Sequence, residues 1–310
     1  MRRDFVRQIL VEMEANPNII FLTADLGFNA LEEIKKRFPT RFINAGIAEQ
    51  HMVGMAAGLA LTGKKVITYS IASFATMRPY EQIRTDVCYH NLDVKIIGTG
   101  GGVNYPTHGV THHTFEDVAI MNVLPNMKVL SPATSWEAEE GTKALVRDNG
   151  PVYMRLGKSP GINFHKPNTK FMFGRGYVIR EGSDILLVST GNIADIVITA
   201  AELIEQQLKK TVGVLSMPSI KPFDESLLLA YTERAEGIFT IEEHSVIGGL
   251  GSIVAATLWK HGVQKRKFHT FGFPDVFQKE VGDREYLLAL IGIESKSLAR
   301  EITKRMKEKD

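Results

Sequence analysis

Cysteine occurs once in the 310 residues, at Cys88, so no disulfide can form within the chain and no thiolate cluster can hold a metal. No apolar run approaches the ~18 residues that a membrane-spanning helix needs. The opening Met1-Arg2-Arg3-Asp4 leads into an amphipathic, acid-bearing segment unlike a secretion signal. An excess of one charge sign is missing too: 37 basic against 35 acidic residues leave a formal +2, which marks out neither nucleic acid nor a membrane surface as a partner. The expectation is a cytoplasmic protein in a reducing setting. Apolar content of 44% and charged content of 23% are those of a globular chain, and the length suits about two domains.

Short apolar runs alternate with helical periodicity along the chain. Ile19-Ile20-Phe21-Leu22 reads as a strand buried on both faces and ends near Asp25, at the carboxyl end where ligands of open α/β sheets collect. Further strands are expected at Phe42-Ile43, Lys65 to Tyr69, Val94 to Gly98, Val129 to Ser131 and Val152 to Arg155, with helices at Met77 to His90 and Ser135 to Arg147 among those between them. A linker broken by Pro160, Gly161 and Pro167 precedes a second series with strands at Ile185 to Val188, Val212 to Leu215 and Gly237 to Ile241. The fold class is therefore α/β: two domains, residues 1–165 and 175–310, with mostly parallel sheets covered by helices.

Three stretches stand out chemically. In Ala45-Gly46-Ile47-Ala48-Glu49-Gln50-His51 a turn opens a helix whose Gly54, Ala57, Gly58 and Ala60 invite close approach of another backbone, and whose single early acid is Glu49. Phe74, Met77 and Tyr80, spaced by three, lie just after a strand. A glycine-rich loop, Gly98 to Gly102, runs on to His108, His112 and His113, three histidines within six residues. Zinc would need a further ligand at a suitable spacing, so proton transfer or hydrogen bonding to a polar substrate suits the loop better.

These stretches, together with Glu242-Glu243-His244 and Gly248-Gly249-Leu250-Gly251, resemble the pyrimidine-binding and C-terminal domains of transketolases and deoxyxylulose-phosphate synthases, in the family's order and over essentially the whole chain. The resemblance implies thiamine diphosphate. Glu49 would be the acid, half-buried and desolvated, that shares a proton with the aminopyrimidine ring so that the thiazolium carbon can be deprotonated. Phe74, Met77 and Tyr80 would form the flat slot for that ring, with Asp25 near the cofactor. His112 would contact the donor sugar, His108 and His113 would bind substrate, and Arg155 would grip its anionic end. His108 stands where transketolases carry an Asp, and Gly100 stands near the place of a phosphate-contacting His, departures that imply a donor or acceptor preference other than the ordinary pentose phosphates.

The family's Gly-Asp-Gly motif, which binds the diphosphate through Mg2+, does not occur in the chain. A partner N-terminal transketolase subunit carrying that half-site is expected, in an A2B2 assembly. The function so implied is transfer of a two-carbon ketol unit from a ketose, phosphorylated or otherwise anionic, to an aldose. The alternative is a deoxyxylulose-phosphate-synthase-like or 2-oxo acid dehydrogenase beta-type subunit acting on a 2-oxo acid.

Overall fold

The computed structural model describes residues 1–27, 30–264 and 267–308, so Lys309 and Asp310 of the basic tail lie outside the described residues. Strands β1 (Ile19–Thr23), β2 (Phe42–Asn44), β3 (Lys65–Ile71), β4 (Val94–Thr99), β5 (Lys128–Leu130) and β6 (Val152–Leu156) form a parallel sheet in the order β5-β6-β4-β3-β1-β2. The second sheet is built from β7 (Tyr177–Arg180), β8 (Ile185–Thr190), β9 (Val212–Ser216), β11 (Gly237–Ser245) and β12 (Lys267–Phe273), in the order β12-β11-β8-β9-β7. It is parallel except where β7 runs against β9. Strand β10 (Ser219–Lys221) crosses back and pairs antiparallel with β5 at the edge of the first sheet. The expected α/β class with two mostly parallel sheets is what the chain forms.

Burial explains the sequence pattern. Strands β1, β6, β8 and β9 are buried at every position, because helices cover both faces of each sheet, and their residues therefore do not alternate. Strand order reverses at β1 and at β8: β2 lies on one side of β1 and β3 on the other, and β9 and β11 likewise flank β8. Crevices open outside the carboxyl ends at such reversals.

One helix differs from expectation. The segment after β3 is helical from Ala72 to Met77, breaks at Arg78-Pro79, and resumes as a short turn, Tyr80–Gln82, followed by a π-helical stretch, Ile83–Cys88. Proline lacks the N–H that a continuous helix would use, so the break falls there.

Candidate active site

At the β1/β3 reversal, β2 ends at Asn44 and the chain turns at Gly46, whose φ of 73° lies in the left-handed region that favours glycine. Helix Glu49–Leu61 then begins, so Glu49 sits at its first turn. Glu49 is 2% exposed, more deeply buried than the half-buried acid expected. Ser70 Oγ on β3 donates to its Oε1 at 2.9 Å, and Arg78 donates through one terminal nitrogen to Oε2 at 2.8 Å. Asn44 fixes the turn from the other side. Its amide donates to Asp25 Oδ1 at 2.8 Å, while its carbonyl oxygen accepts from the N–H groups of Asp25 and Gly46. Asp25 itself holds a strained φ of 51°.

Phe74 presents one ring face to the Arg78 guanidinium, 3.8 Å from the ring centroid, and meets His112 edge-on at 5.0 Å between centroids. Met77 shares the helix of Phe74 and is 40% exposed. Tyr80 lies past the break, its hydroxyl donating to the Ile120 carbonyl at 2.9 Å. The rings of His108 and His112 are 4.7 Å apart. Nδ1 of His112 is 2.8 Å from Thr111 Oγ1, and Nδ1 of His108 is 3.2 Å from Thr107 Oγ1, so each ring is oriented by the threonine before it. Burial, with the neighbouring His108, pushes the His112 imidazole below its ordinary value, which keeps it neutral at pH 7.

Two of the expected substrate-binding residues are buried. His113 does not join the other histidines: it is 3% exposed with its ring against Phe115, because adjacent residues on this loop point apart. Arg155 does not face an open cavity. It lies in β6, 6% exposed, with Nε donating to Asp117 at 2.9 Å and a terminal nitrogen donating to the carbonyls of Thr114 and Glu243. Tyr153 adds a 2.5 Å hydrogen bond to the same Asp117 oxygen. The glycine run also has another purpose than ligand approach. A Cβ on Gly101 would meet Arg155 Nε at 2.3 Å, and one on Gly102 would meet Glu243 Cγ at 2.4 Å.

Basic groups that do reach an opening lie three residues beyond Arg155 and at the start of the chain. Arg2, Arg3, Arg7 and Lys158, with Tyr105 and Ser135, line a cavity of about 720 Å³. Lys158 Nζ is 3.7 Å from the Tyr105 ring centroid, and Tyr105 in turn meets the rings of His108 and His112 edge-on at 5.8 and 5.9 Å. The cavity therefore adjoins the histidine pair.

Residues 2–161 match the transketolase pyrimidine-binding domain and residues 174–298 the transketolase C-terminal domain. The chain belongs to the transketolase family. It is 34% identical to a putative transketolase C-terminal section from Methanocaldococcus jannaschii, over 99% of this chain and 96% of that one. Identity to the 6-deoxy-6-sulfo-D-fructose transketolase subunit of a Clostridium species is also 34%, covering 98% and 95% of the two chains. A solved structure described as a split gene transketolase, inactive beta4 tetramer, superposes with a TM-score of 0.89 at 35% identity, over 100% of this chain and 99% of that one. The alternative of a deoxyxylulose-phosphate synthase is not favoured: the enzyme of Pelotomaculum thermopropionicum is 31% identical but matched over only 46% of its length.

Family membership implies thiamine diphosphate, and the β1/β3 crevice fits its pyrimidine ring. A buried carboxylate and an aromatic face stand close enough together for one planar N–H donor, the guanidinium of Arg78, to touch both. Sequence reasoning did not name Ser70 and Arg78, which bond Glu49, Asn44, which bonds Asp25, or Tyr105 and Lys158, which adjoin the histidine pair. Lys158 had a readable signal, since ligand-facing residues follow a strand's end and do not sit within it.

Proposed function

We propose that this chain is the C-terminal subunit of a two-polypeptide transketolase and transfers a two-carbon ketol unit from a ketose to an aldose. The observation that carries the reading is Glu49, a buried carboxylate held at 2.9 Å by Ser70 and linked to the face of Phe74 by the one guanidinium of Arg78 that touches both, in a chain bearing the family's pyrimidine-binding domain. When bound, thiamine diphosphate supplies the carbon nucleophile for ketol transfer. Glu49 holds a proton at the pyrimidine ring, Phe74 with Met77 and Tyr80 bounds the ring's slot, and Asp25 and Asn44 keep the Gly46 turn that aims Glu49. His112, neutral and oriented by Thr111, donates to or accepts from a sugar oxygen next to the reacting carbon. His108 replaces a carboxylate with a second imidazole and so shapes which sugar is accepted.

Lys158 and Arg2, in place of Arg155, attract the anionic end. Their cavity suits any tetrahedral oxyanion, phosphate or sulfonate alike. The Mg2+ and diphosphate half-site belongs to an N-terminal partner subunit, the two chains assembling as A2B2 in the cytoplasm. The Gly54/Gly58 face supports that docking, because a Cβ at either position would meet nothing within 4 Å.

The test is Glu49→Gln in the complex reconstituted with the partner. Loss of the proton relay lowers turnover by ~10²–10⁴-fold, the usual size of an acid–base contribution, with the thermal midpoint retained. Unchanged turnover overturns the catalytic reading, and release of carbon dioxide from pyruvate by the wild type would replace ketol transfer with 2-oxo acid chemistry.

A further inference from the structure

Arg78 makes two contacts at once. It donates to Glu49 Oε2 at 2.8 Å, and its guanidinium carbon lies 3.8 Å from the centroid of the Phe74 ring. These are the two surfaces the site has to offer a pyrimidine: a carboxylate oxygen to accept an in-plane N–H, and an aromatic face to stack on. A guanidinium and a protonated aminopyrimidine are alike in this respect, since each is planar, cationic and edged with N–H donors. Both cannot hold Oε2 and the same face of Phe74 together. Arg78 is also placed to leave. Its side chain is 45% exposed and it stands at the helix break before Pro79, whereas Glu49 and Ser70 are buried and fixed.

We infer that Arg78 is an internal competitor for the pyrimidine slot, covering Phe74 and Glu49 while the slot is empty and swinging to solvent when the cofactor's ring enters. The inference rests on the reading of Glu49 and Phe74 as that slot. Its consequence is that the subunit binds the ring less tightly than the bare slot would. A half-exposed ion pair and a cation–π contact are each worth a factor of a few in an equilibrium, so together they lower affinity on the order of tenfold.

The experiment compares the wild type with Arg78→Met, which keeps length without charge or donors, and Arg78→Lys, which keeps the charge but not the planar face. Each full-length chain, combined with the partner subunit, is titrated with thiamine diphosphate by calorimetry. Each is also titrated without the partner against 4-amino-5-hydroxymethyl-2-methylpyrimidine, which engages only this chain's half. The Met variant should bind the pyrimidine about tenfold more tightly and the Lys variant by an intermediate factor, with thermal midpoints at the wild-type value. Equal or weaker binding by the Met variant, where the wild type binds, overturns the competitor role and makes Arg78 a bystander or an aid. Failure of all three chains to bind thiamine diphosphate even with the partner overturns the slot itself, and the inference with it.

Discussion

The two crevices where strand order reverses, β1/β3 in the first sheet and β8/β11 in the second, are furnished with the same residue types and differ in what closes them. At β1/β3 stand Glu49, Arg78, His108 and His112, with the arginine and His108 exposed. At β8/β11 stand Glu242, Glu243 and His244, each 2% exposed or less, and the crevice is filled by the chain itself. Glu243 accepts from the Val103 N–H at 2.8 Å and pairs with Arg284 at 2.6 Å, and Arg284 also donates to the Asn192 carbonyl. Glu242 accepts from the N–H groups of Leu250 and Gly251, which start helix Leu250–Lys260. A crevice whose carboxylates and histidine are all buried is a joint, and one that keeps an arginine and a histidine at the surface is a site. Here the joint anchors the loop that carries His108 and His112, so the second sheet contributes to the site by holding its histidines in place.

The sharpest way to break that contrast is to remove one cation from each side. Arg155→Met leaves Asp117 buried beside Tyr153 without its partner, and truncating one member of a buried pair costs ~3–5 kcal/mol. Chemical unfolding of the isolated chain should register that loss. Lys158→Met should leave unfolding unchanged and raise the KM for an anionic sugar by about tenfold, the size of one charge-assisted hydrogen bond. If instead Arg155→Met unfolded like the wild type and only KM rose, Arg155 would belong to the site and the distinction between joint and site would fail.

Protonation sharpens the same comparison. Burial pushes His244 down to about 4 and Glu242 up to about 7, and the geometry agrees with a neutral imidazole: Nδ1–H donates to the Ser245 carbonyl at 2.8 Å while Nε2 accepts from the Ala119 N–H at 3.4 Å. His244 has a depressed value, so its contribution is present above the ordinary imidazole value near 6.5 and is lost as pH falls towards about 4. Glu242 has a raised value, so its contribution is present below about 4.5 and is lost as pH rises through about 7. The two largely offset each other between those limits. In His244→Asn only the glutamate contribution survives. Relative to that variant the wild type should therefore lose up to ~3 kcal/mol of unfolding free energy from pH 6.5 to 4, since one extra proton taken up on unfolding changes stability by ~1.4 kcal/mol for each step of one in pH. Parallel unfolding curves for the two proteins would contradict the assignment. His112, also pushed down but at the open crevice, should move the acid limb of kcat/KM below the usual imidazole range.

What could be read from the sequence was local. Strand ends, the Gly46 turn and the early acid are set by neighbours a few residues away, so the α/β class and the place of Glu49 at a helix start were legible in the residues themselves, whereas the role proposed for Glu49 came from the resemblance. The burial of Arg155 was not legible because its partners are remote: Asp117 is 38 residues away and the Glu243 carbonyl 88. Its position inside a strand of a two-face-buried sheet was nonetheless a warning that it would be consumed internally. The role of Gly101 and Gly102 was equally invisible, since the side chains that crowd them come from β6 and β11. Arg78 lay in plain view beside Phe74, but only the fold brings Glu49 to it.

The smallest effect on the subunit itself is expected on the outer face of helix Glu49–Leu61, where Leu61 is 69% exposed, Ile47 just before the helix is 78% exposed, and Gly54 and Gly58 lie between them in sequence. A leucine at position 58 enters open space, and replacing a mid-helix glycine favours the helix by up to ~1 kcal/mol. Gly58→Leu should therefore leave the isolated chain's thermal midpoint unchanged or slightly raised. In the complex the same side chain would have to fit between two surfaces, and overpacking of ~1–3 kcal/mol weakens assembly by about tenfold or more. Titration of the partner against the two forms measures this directly. Equal assembly of both would place the interface elsewhere and leave the open glycine face without an occupant, whereas selective weakening would show that this crevice, unlike the joint at β8/β11, is finished by a second chain.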